Sequence, residues 1–349
     1  MTVTVCVPVW NGEAFVEETL DSARSQTLDD ISVLVSVDRS DDRSAEICRA
    51  FAAGDPRFQV FVQPARLGWI GNVNWLLRRI ESETACILPH DDVLAPSYLE
   101  RLAAALDQRH EAILAFCDVQ TFGRREIVRA GPEATGDLFT RIVGFLHANT
   151  AAEAWRGIFR STVLERGCYL EEINGAAADQ VWLLRLAIEG SLIRVPEVLY
   201  RKRLHDQSVV AQSLHNGVPR DSHWADHCAS CLGIALSAGQ WTHAQKQAIA
   251  AAALVRALRL PNVARLGSTE SEMSESALAL IADYTLRVSG QAPPGSSLMT
   301  RVDIPDRLRA YLSERLAAAL ARSERGSKTS PSSEPAPAGR DQSSRRRRV

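Results

Sequence analysis

The strongest constraint on this chain is the alternation of short β-branched runs with amphipathic helical segments along its amino-terminal third. Thr2 to Val9, Ile31 to Val37, Phe58 to Val62 and Thr84 to Leu88 read as strands. Glu13 to Ser25, Asp42 to Ala53 and Ile70 to Ile80 between them carry helical spacing. Pro96 to Leu106 continues the series, with Pro96 near a first turn, where its missing N–H costs nothing. This βαβα order predicts an α/β fold with a mostly parallel central sheet flanked by helices. In such sheets ligands bind beyond the carboxyl ends of the strands, so polar residues just after strands are the candidates for function.

The pattern loosens from Ile113 to about His205. Strand-like pieces (Ile113–Val119, Ile127–Ala130, Leu192–Val195, Val198–Arg203) mix with helices near Asp137–Leu146 and Asp179–Glu189. Pro219 to Ala321 reads as helical throughout, with turns near Gly239, Pro261–Gly267 and Gln291–Ser297. Beyond Arg322 the composition shifts to Ser, Pro, Gly and Arg, which predicts a disordered tail. The expected organisation is an α/β domain over residues 1–215, a helical region over 216–321 and a basic tail over 322–349.

At 349 residues and 46% hydrophobic content the chain can bury a full core without disulfides or metal staples. The net charge of −2 excludes a general affinity for nucleic acid. The tail has eight basic and three acidic residues, a net +5 on a body of −7. Its Arg345–Arg348 run could touch anionic lipid, giving peripheral contact with the inner face of a membrane; a solvated tail is the preferred reading. No basic, apolar leader opens the chain, and no stretch approaches eighteen apolar residues. The seven cysteines are scattered, and Cys6, Cys86 and Cys117 lie in apolar strand-like runs. That pattern predicts a reducing, cytoplasmic location.

Three acidic groups follow apolar strands or small-residue runs: Asp38 with Asp41-Asp42, His90-Asp91-Asp92, and Asp179. Taken singly, each reads as a turn or a helix cap. Adjacent carboxylates at a buried strand end are more readily explained by a divalent cation such as Mn²⁺ or Mg²⁺, which in turn favours a diphosphate.

In this order the segments resemble family 2 glycosyltransferases of the GT-A fold. Val7-Pro8-Val9-Trp10-Asn11-Gly12-Glu13 is similar to the family's first strand and turn, and Val35 to Ser44 to its second strand end. Arg66 to Asn74, Leu88 to Pro96, Asp179 to Leu186, and Val195 to Tyr200 with Arg203-Leu204-His205 resemble four further segments, all within about residues 3–206. The resemblance implies transfer of a single sugar from a UDP-, GDP- or dTDP-sugar to a glycan or lipid-linked acceptor in cell-surface glycan or polysaccharide biosynthesis. It implies inversion, with Asp179 as general base and Asp91 and His205 at a divalent metal. It assigns Pro8, Val9, Asn11, Asp38, Asn74, Asp92 and Arg203 to nucleotide-sugar binding. Three positions depart from the pattern: Pro89 replaces the first acidic residue of the metal motif, Ala178 replaces a Glu before Asp179, and Val73 replaces an Arg.

Rival readings are a sugar nucleotidyltransferase, which lacks its Gly-rich, Arg-containing loop here, and a degenerate homologue that binds nucleotide sugars without turnover. Cys228-Ala-Ser-Cys231 with His223 and His227 could form a zinc site, but no second ligand pair accompanies it, so a packed helix face is preferred. Of the seven tryptophans, Trp69 and Trp155 fall in expected loop or pocket regions, and the others are expected in the core.

Overall fold

The computed structural model describes residues 2–147, 153–171, 177–206 and 220–259. Strands β1 (Val3–Val9), β2 (Ile31–Val37), β3 (Phe58–Val62) and β4 (Thr84–Ile87) lie parallel in the order β3-β2-β1-β4. Helices α1 (Val16–Arg24), α2 (Ser44–Ala53) and α3 (Gly68–Leu77) make the crossovers that parallel pairing requires. Beyond β4 the sheet becomes mixed. It continues through β8 (Ile158–Arg160), β6 (Ala112–Gly123), β9 (Ser191–Leu204) and β5 (Val93–Leu94), while β7 (Val128–Arg129) pairs with β6. β8 runs antiparallel to both β4 and β6, and β6 and β9 pair in parallel.

Alternation along the strands sends side chains to two faces. Val5 and Val7 of β1 join Val16 and Leu20 of α1 and Leu99 and Leu102 of α4 (Tyr98–Gln108) in one core. Cys6 of β1 points the other way, into a core with Leu76 of α3, Phe116 of β6 and Phe145 of α5 (Leu138–His147). Each fully buried large apolar side chain contributes about 1.5–3 kcal/mol.

The second core also takes in α7 (Ala178–Glu189), α8 (Arg220–Ser237) and α9 (His243–Arg259). Cys231, Leu232, Ala235, Ile249 and Ala253 pack in the same cluster as Trp182 and Phe145. The first two helices expected in the separate region 216–321 are therefore continuous with the core of the α/β unit. Residues 260–321 and the expected tail lie outside the described residues. Among the described residues no helix is long and apolar enough to cross a membrane. All seven cysteines are buried and unpaired.

Two expectations change in detail. The separate strands expected on either side of Pro196-Glu197 are one strand, β9. Cys117 pairs with Val195 and the adjacent Asp118 with Val198, so Pro196 and Glu197 bulge out of the ladder. Proline has no N–H to give a sheet and is tolerated at such a bulge. The sequence reading also missed β8, a three-residue strand placed between β4 and β6.

Candidate active site

The carboxyl ends of β1, β2 and β4 are held together by loop-to-loop hydrogen bonds. Asn11 sits at φ 44°, a left-handed conformation that asparagine tolerates better than most side chains. Its N–H donates to Ser40 Oγ (3.0 Å), and its side-chain oxygen accepts from the Asp41 N–H (3.0 Å). The Gly12 N–H donates to Ser44 Oγ (2.8 Å). A Cβ on Gly12 would lie 2.4 Å from His90 Cδ2, so a larger residue here would displace the His90 ring from this turn.

Asp38 ends β2 and is 1% exposed. Its two oxygens accept the N–H groups of Leu67 (2.7 Å) and Gly68 (2.9 Å), and Arg66 Nε lies 3.3 Å away. The Arg66 guanidinium covers the Trp10 ring at 3.5 Å, so Trp10 caps this corner rather than filling a core. A carboxylate has about four acceptor positions. Three are engaged here, which leaves about one for a ligand beside the Pro8–Val9 backbone. Pro8 offers its carbonyl to His90 Nδ1 (3.3 Å), and the Val9 carbonyl accepts from the Asp38 N–H (2.8 Å).

The adjacent acids of the β4 loop divide their work. Asp91 reaches His205, with Oδ2 to Nε2 at 2.8 Å and the two side chains 16% and 14% exposed. Phe15 packs on the imidazole at 4.6 Å between ring centroids. Asp92 is 2% exposed and points inward. It accepts from Tyr200 Oη (2.8 Å), the Arg203 N–H (2.9 Å) and Arg156 Nε (3.3 Å). Burial pushes the Asp92 carboxyl up, and the Arg156 charge opposes that rise. Asp92 thus supports the loop beneath Asp91.

Arg203 and Asn74 are placed differently from the expected nucleotide contacts. The Arg203 guanidinium is committed to Glu18 and to the Asp91 carbonyl (Nε to O, 3.0 Å). Both ends of the Asn74 amide are used by Leu170, at 2.8 and 3.0 Å. Asn74 therefore braces α3 against the segment before α7, because a buried amide must find partners within the protein.

Asp179 lies in the first turn of α7, two residues after Ala177, whose φ of 49° is unusual for a residue with a Cβ. Strain of this kind collects at functional sites. Asp179 is half-buried, and desolvation raises its pKa; the nearby charges of Arg156 and Lys202 oppose the rise. Arg156 was not singled out in the sequence. It belongs to a short 3₁₀ turn (Ala154–Arg156) that packs on α7 through Trp155 and Trp182, whose ring centroids are 5.3 Å apart. Its only sequence signal is an arginine inside the apolar run Ala154-Trp155-Arg156-Gly157-Ile158-Phe159.

No group of three potential metal ligands occurs among the described residues. Asp91 and His205 are nonetheless the residues that would hold a hard divalent cation here. One carboxylate oxygen and one imidazole nitrogen lie at about the spacing of adjacent ligands on a cation with bonds of roughly 2.1 Å. The zinc candidate is reduced to His227 Nε2 and Cys231 Sγ at 3.6 Å, inside a packed helix face; the side chain of His223 lies outside the described residues. A groove of about 740 Å³ lies at the opposite edge of the sheet, lined by Thr4, Ser32, Gln59 and Arg78 among others, and holds none of these acids.

The segment from β1 to α6 (Thr162–Glu165), residues 4–164, matches the model of glycosyl transferase family 2. A Campylobacter jejuni relative described as a GalNAc(5)-diNAcBac-PP-undecaprenol beta-1,3-glucosyltransferase is 25% identical over 184 residues, 52% of this chain and 58% of its own length. A Bacillus subtilis relative described as an uncharacterized glycosyltransferase, EpsJ, is 28% identical over 223 residues, 59% of this chain and 62% of its own. The chain thus spans less than two thirds of either relative. Among solved structures, a Staphylococcus aureus TarS fragment in complex with UDP-GlcNAc superposes with a TM-score of 0.64 at 17% identity, covering 94% of this chain and 92% of that one. That likeness establishes the GT-A fold.

Proposed function

We propose that this protein transfers one glycosyl group from a nucleoside-diphosphate sugar to an acceptor hydroxyl, with inversion at the anomeric carbon. One observation carries the reading: Asp38 and the Asp91–His205 pair follow strands that end at the carboxyl edge of one sheet, and the desolvated Asp179 opens α7 within range of Arg156, the partner of Asp92 in the same loop. The Asp38 corner would take the base or ribose, beside the Pro8–Val9 backbone. Asp91 and His205 would hold a divalent cation, which when bound supplies Lewis-acid stabilisation of the leaving diphosphate. Asp179 would remove the proton of the acceptor hydroxyl. A carboxylate with a raised pKa is a better-matched base for a hydroxyl, and such positioned bases contribute about 10²–10⁴-fold. The charges of Arg156 and Lys202 oppose that rise and favour the ionised form. A single base opposite the leaving group gives direct displacement, hence inversion.

A UDP-sugar donor is supported by the TarS complex with UDP-GlcNAc. A lipid-linked acceptor in cell-surface glycan synthesis is supported by the C. jejuni relative. Such an acceptor fits a cytoplasmic protein peripheral to the membrane through the basic tail. Pro89, in place of a carboxylate, favours a second reading in which the fold binds donor without turnover. Release of nucleoside diphosphate by wild type and Asp179→Asn separates the two. Turnover lost in the variant with donor affinity intact supports the transferase. Equal turnover in both refutes the base assignment, and a wild type that binds donor without releasing nucleotide supports the second reading.

A further inference from the structure

The first turn of α7, which carries Asp179, is poorly held from within. Its N-cap is Ala177, in the left-handed region at φ 49°, and alanine has no side-chain oxygen to cap the turn. The backbone bonds closing it run from the N–H groups of Gln180 (3.0 Å) and Val181 (3.3 Å) to the single carbonyl of Ala177. A general base must nonetheless be held closely, because a misplacement of about 1 Å can cost on the order of 10²-fold in rate.

The side chain that holds this turn from outside comes from α9. Arg256 is fully buried. Its Nη2 donates to Gln180 Oε1, next in sequence to Asp179. Its Nη1 lies 3.5 Å from the carbonyl of Phe145, in the last turn of α5, where carbonyls lack helical partners. The guanidinium also faces the Phe145 ring at 5.4 Å. One planar fork therefore ties α9 to the end of α5 and to the start of α7, a geometry that the point charge of lysine does not supply.

Packing alone does not account for this arginine. Its Nε is buried without a partner, and among the described residues no carboxylate pairs with the guanidinium. A buried cation without a counter-ion is among the most costly groups in a core. The nearby His227 of α8 stays neutral, because burial and then the Arg256 charge lower its pKa to about 3. A positive charge beside the first turn of α7 also opposes the dipole of that helix. An apolar side chain would fill the space at less cost. What the arginine adds is direction: it fixes the Gln180 amide, and with it the rotation of the turn that presents Asp179.

We propose that Arg256 is a positioning residue for Asp179, acting through Gln180 and making α9 part of the catalytic apparatus. Its catalytic consequence rests on the reading of Asp179 as the base; the structural link does not.

The test uses the full chain as wild type, Arg256→Met, Arg256→Lys, Gln180→Ala, Gln180→Glu and the double variant Arg256→Met with Gln180→Ala. Ile249→Ala is the control for lost stability: Ile249 is fully buried in the same core, about two turns earlier on α9. Amide hydrogen exchange by NMR reads residues 179–182 against 184–188. Losing a hydrogen bond from a charged group is expected to speed first-turn exchange about tenfold or more in Arg256→Met and Gln180→Ala. Arg256→Lys is expected to be intermediate. Gln180→Glu keeps the acceptor and gives the guanidinium a counter-ion, so its exchange is expected at or below wild type. Release of UDP from UDP-GlcNAc reads turnover. The kcat of Arg256→Met and of Gln180→Ala is expected to fall by about 10–10²-fold with KM unchanged. The double variant is expected to be no worse than either single one, as for residues that act as a unit. Ile249→Ala, assayed below its melting range, is expected to keep the wild-type kcat.

Wild-type first-turn exchange in Arg256→Met overturns the proposal. So does faster exchange with an unchanged kcat, and so does an equal loss of kcat in Ile249→Ala. Equal turnover in wild type and Asp179→Asn, or none in wild type, counts against the base reading instead, and exchange then decides whether Arg256 fixes the turn.

Discussion

Replacing Arg156 by methionine breaks the ion pair that joins the β4 loop to the 3₁₀ turn packed on α7. The side chain is 10% exposed and its partner Asp92 carboxylate 2% exposed, so neither charge recovers water when the other is removed. Breaking a buried pair by removing one partner costs about 3–5 kcal/mol. The Nε–Oδ2 separation of 3.3 Å is long for a charge-assisted hydrogen bond, and Tyr200 and the Arg203 N–H stay on Asp92. The expected loss is therefore at the low end, about 3 kcal/mol. Methionine keeps much of the aliphatic stem, so little packing is lost with the charge. For a protein of this size, about 3 kcal/mol corresponds to a fall in Tm of roughly 4 °C. Urea unfolding of Arg156→Met, Asp92→Asn and the double variant gives the coupling directly. The account expects the double variant to be more stable than the sum of the single losses by about 1–3 kcal/mol, because asparagine leaves no stranded charge. Additivity within about 0.5 kcal/mol would refute it and reduce Arg156 to a packing role.

Three further outcomes follow from the same geometry. The raised pKa of Asp179 places the acid limb of its pH–rate profile above the ordinary aspartate value of about 3.9, and Asp179→Asn removes that limb along with turnover. The native state holds this proton more tightly than the unfolded chain, so ionisation costs stability. Asp179→Asn should thus be more stable than wild type at neutral pH, with the gain vanishing below the unfolded pKa, as thermal melts across pH would report. Burial, aided by the Arg256 charge, lowers the His227 pKa to about 3. The unfolded chain takes up this proton first, so stability should fall by up to ~1.4 kcal/mol per pH unit from about 6.5 downward, and His227→Gln should flatten that fall in acid titrations followed by circular dichroism. Removing residues 216–349 would expose the core around Phe145 and Trp182 that Leu232 and Ile249 cover. The remainder is expected to aggregate or to bind a hydrophobic dye, and a cooperative melt at the full-length Tm would contradict the shared core.

Most of the amino-terminal half could be read from the sequence because each strand there is a β-branched run closed by a turn and followed by an amphipathic helix. The three acids that follow strands or small-residue runs came from the same reading, since ligand sites in such sheets lie at strand ends. What could not be read is set by contacts distant in sequence. Asp92 and Asp91 are neighbours, yet one turns inward to Tyr200 and Arg156 while the other faces His205; only the register of β9 against β5 decides which. Asn74 lies in a segment that resembles a substrate loop, but its amide is claimed by Leu170, 96 residues away. Strand β8 has three residues and no alternation to detect, and its pairing with β4 places Arg156. The helical spacing of α8 and α9 was legible, but not that their apolar faces complete the core against α5 and α7.

The central claim, that the carboxyl edge of the sheet binds a nucleotide diphosphate through Asp91, is tested most directly by thermal shift. UDP, GDP, dTDP and CMP would each be added with Mn²⁺ or with EDTA, to wild type and Asp91→Ala. A ligand at a hundred times its Kd stabilises by about 2.7 kcal/mol, which is readily seen in a melt. The account predicts that one nucleoside diphosphate raises the Tm of wild type with Mn²⁺, and that the rise disappears with EDTA and in Asp91→Ala. A rise that survives both would contradict the role given to Asp91, and no rise from any nucleotide would contradict the site itself.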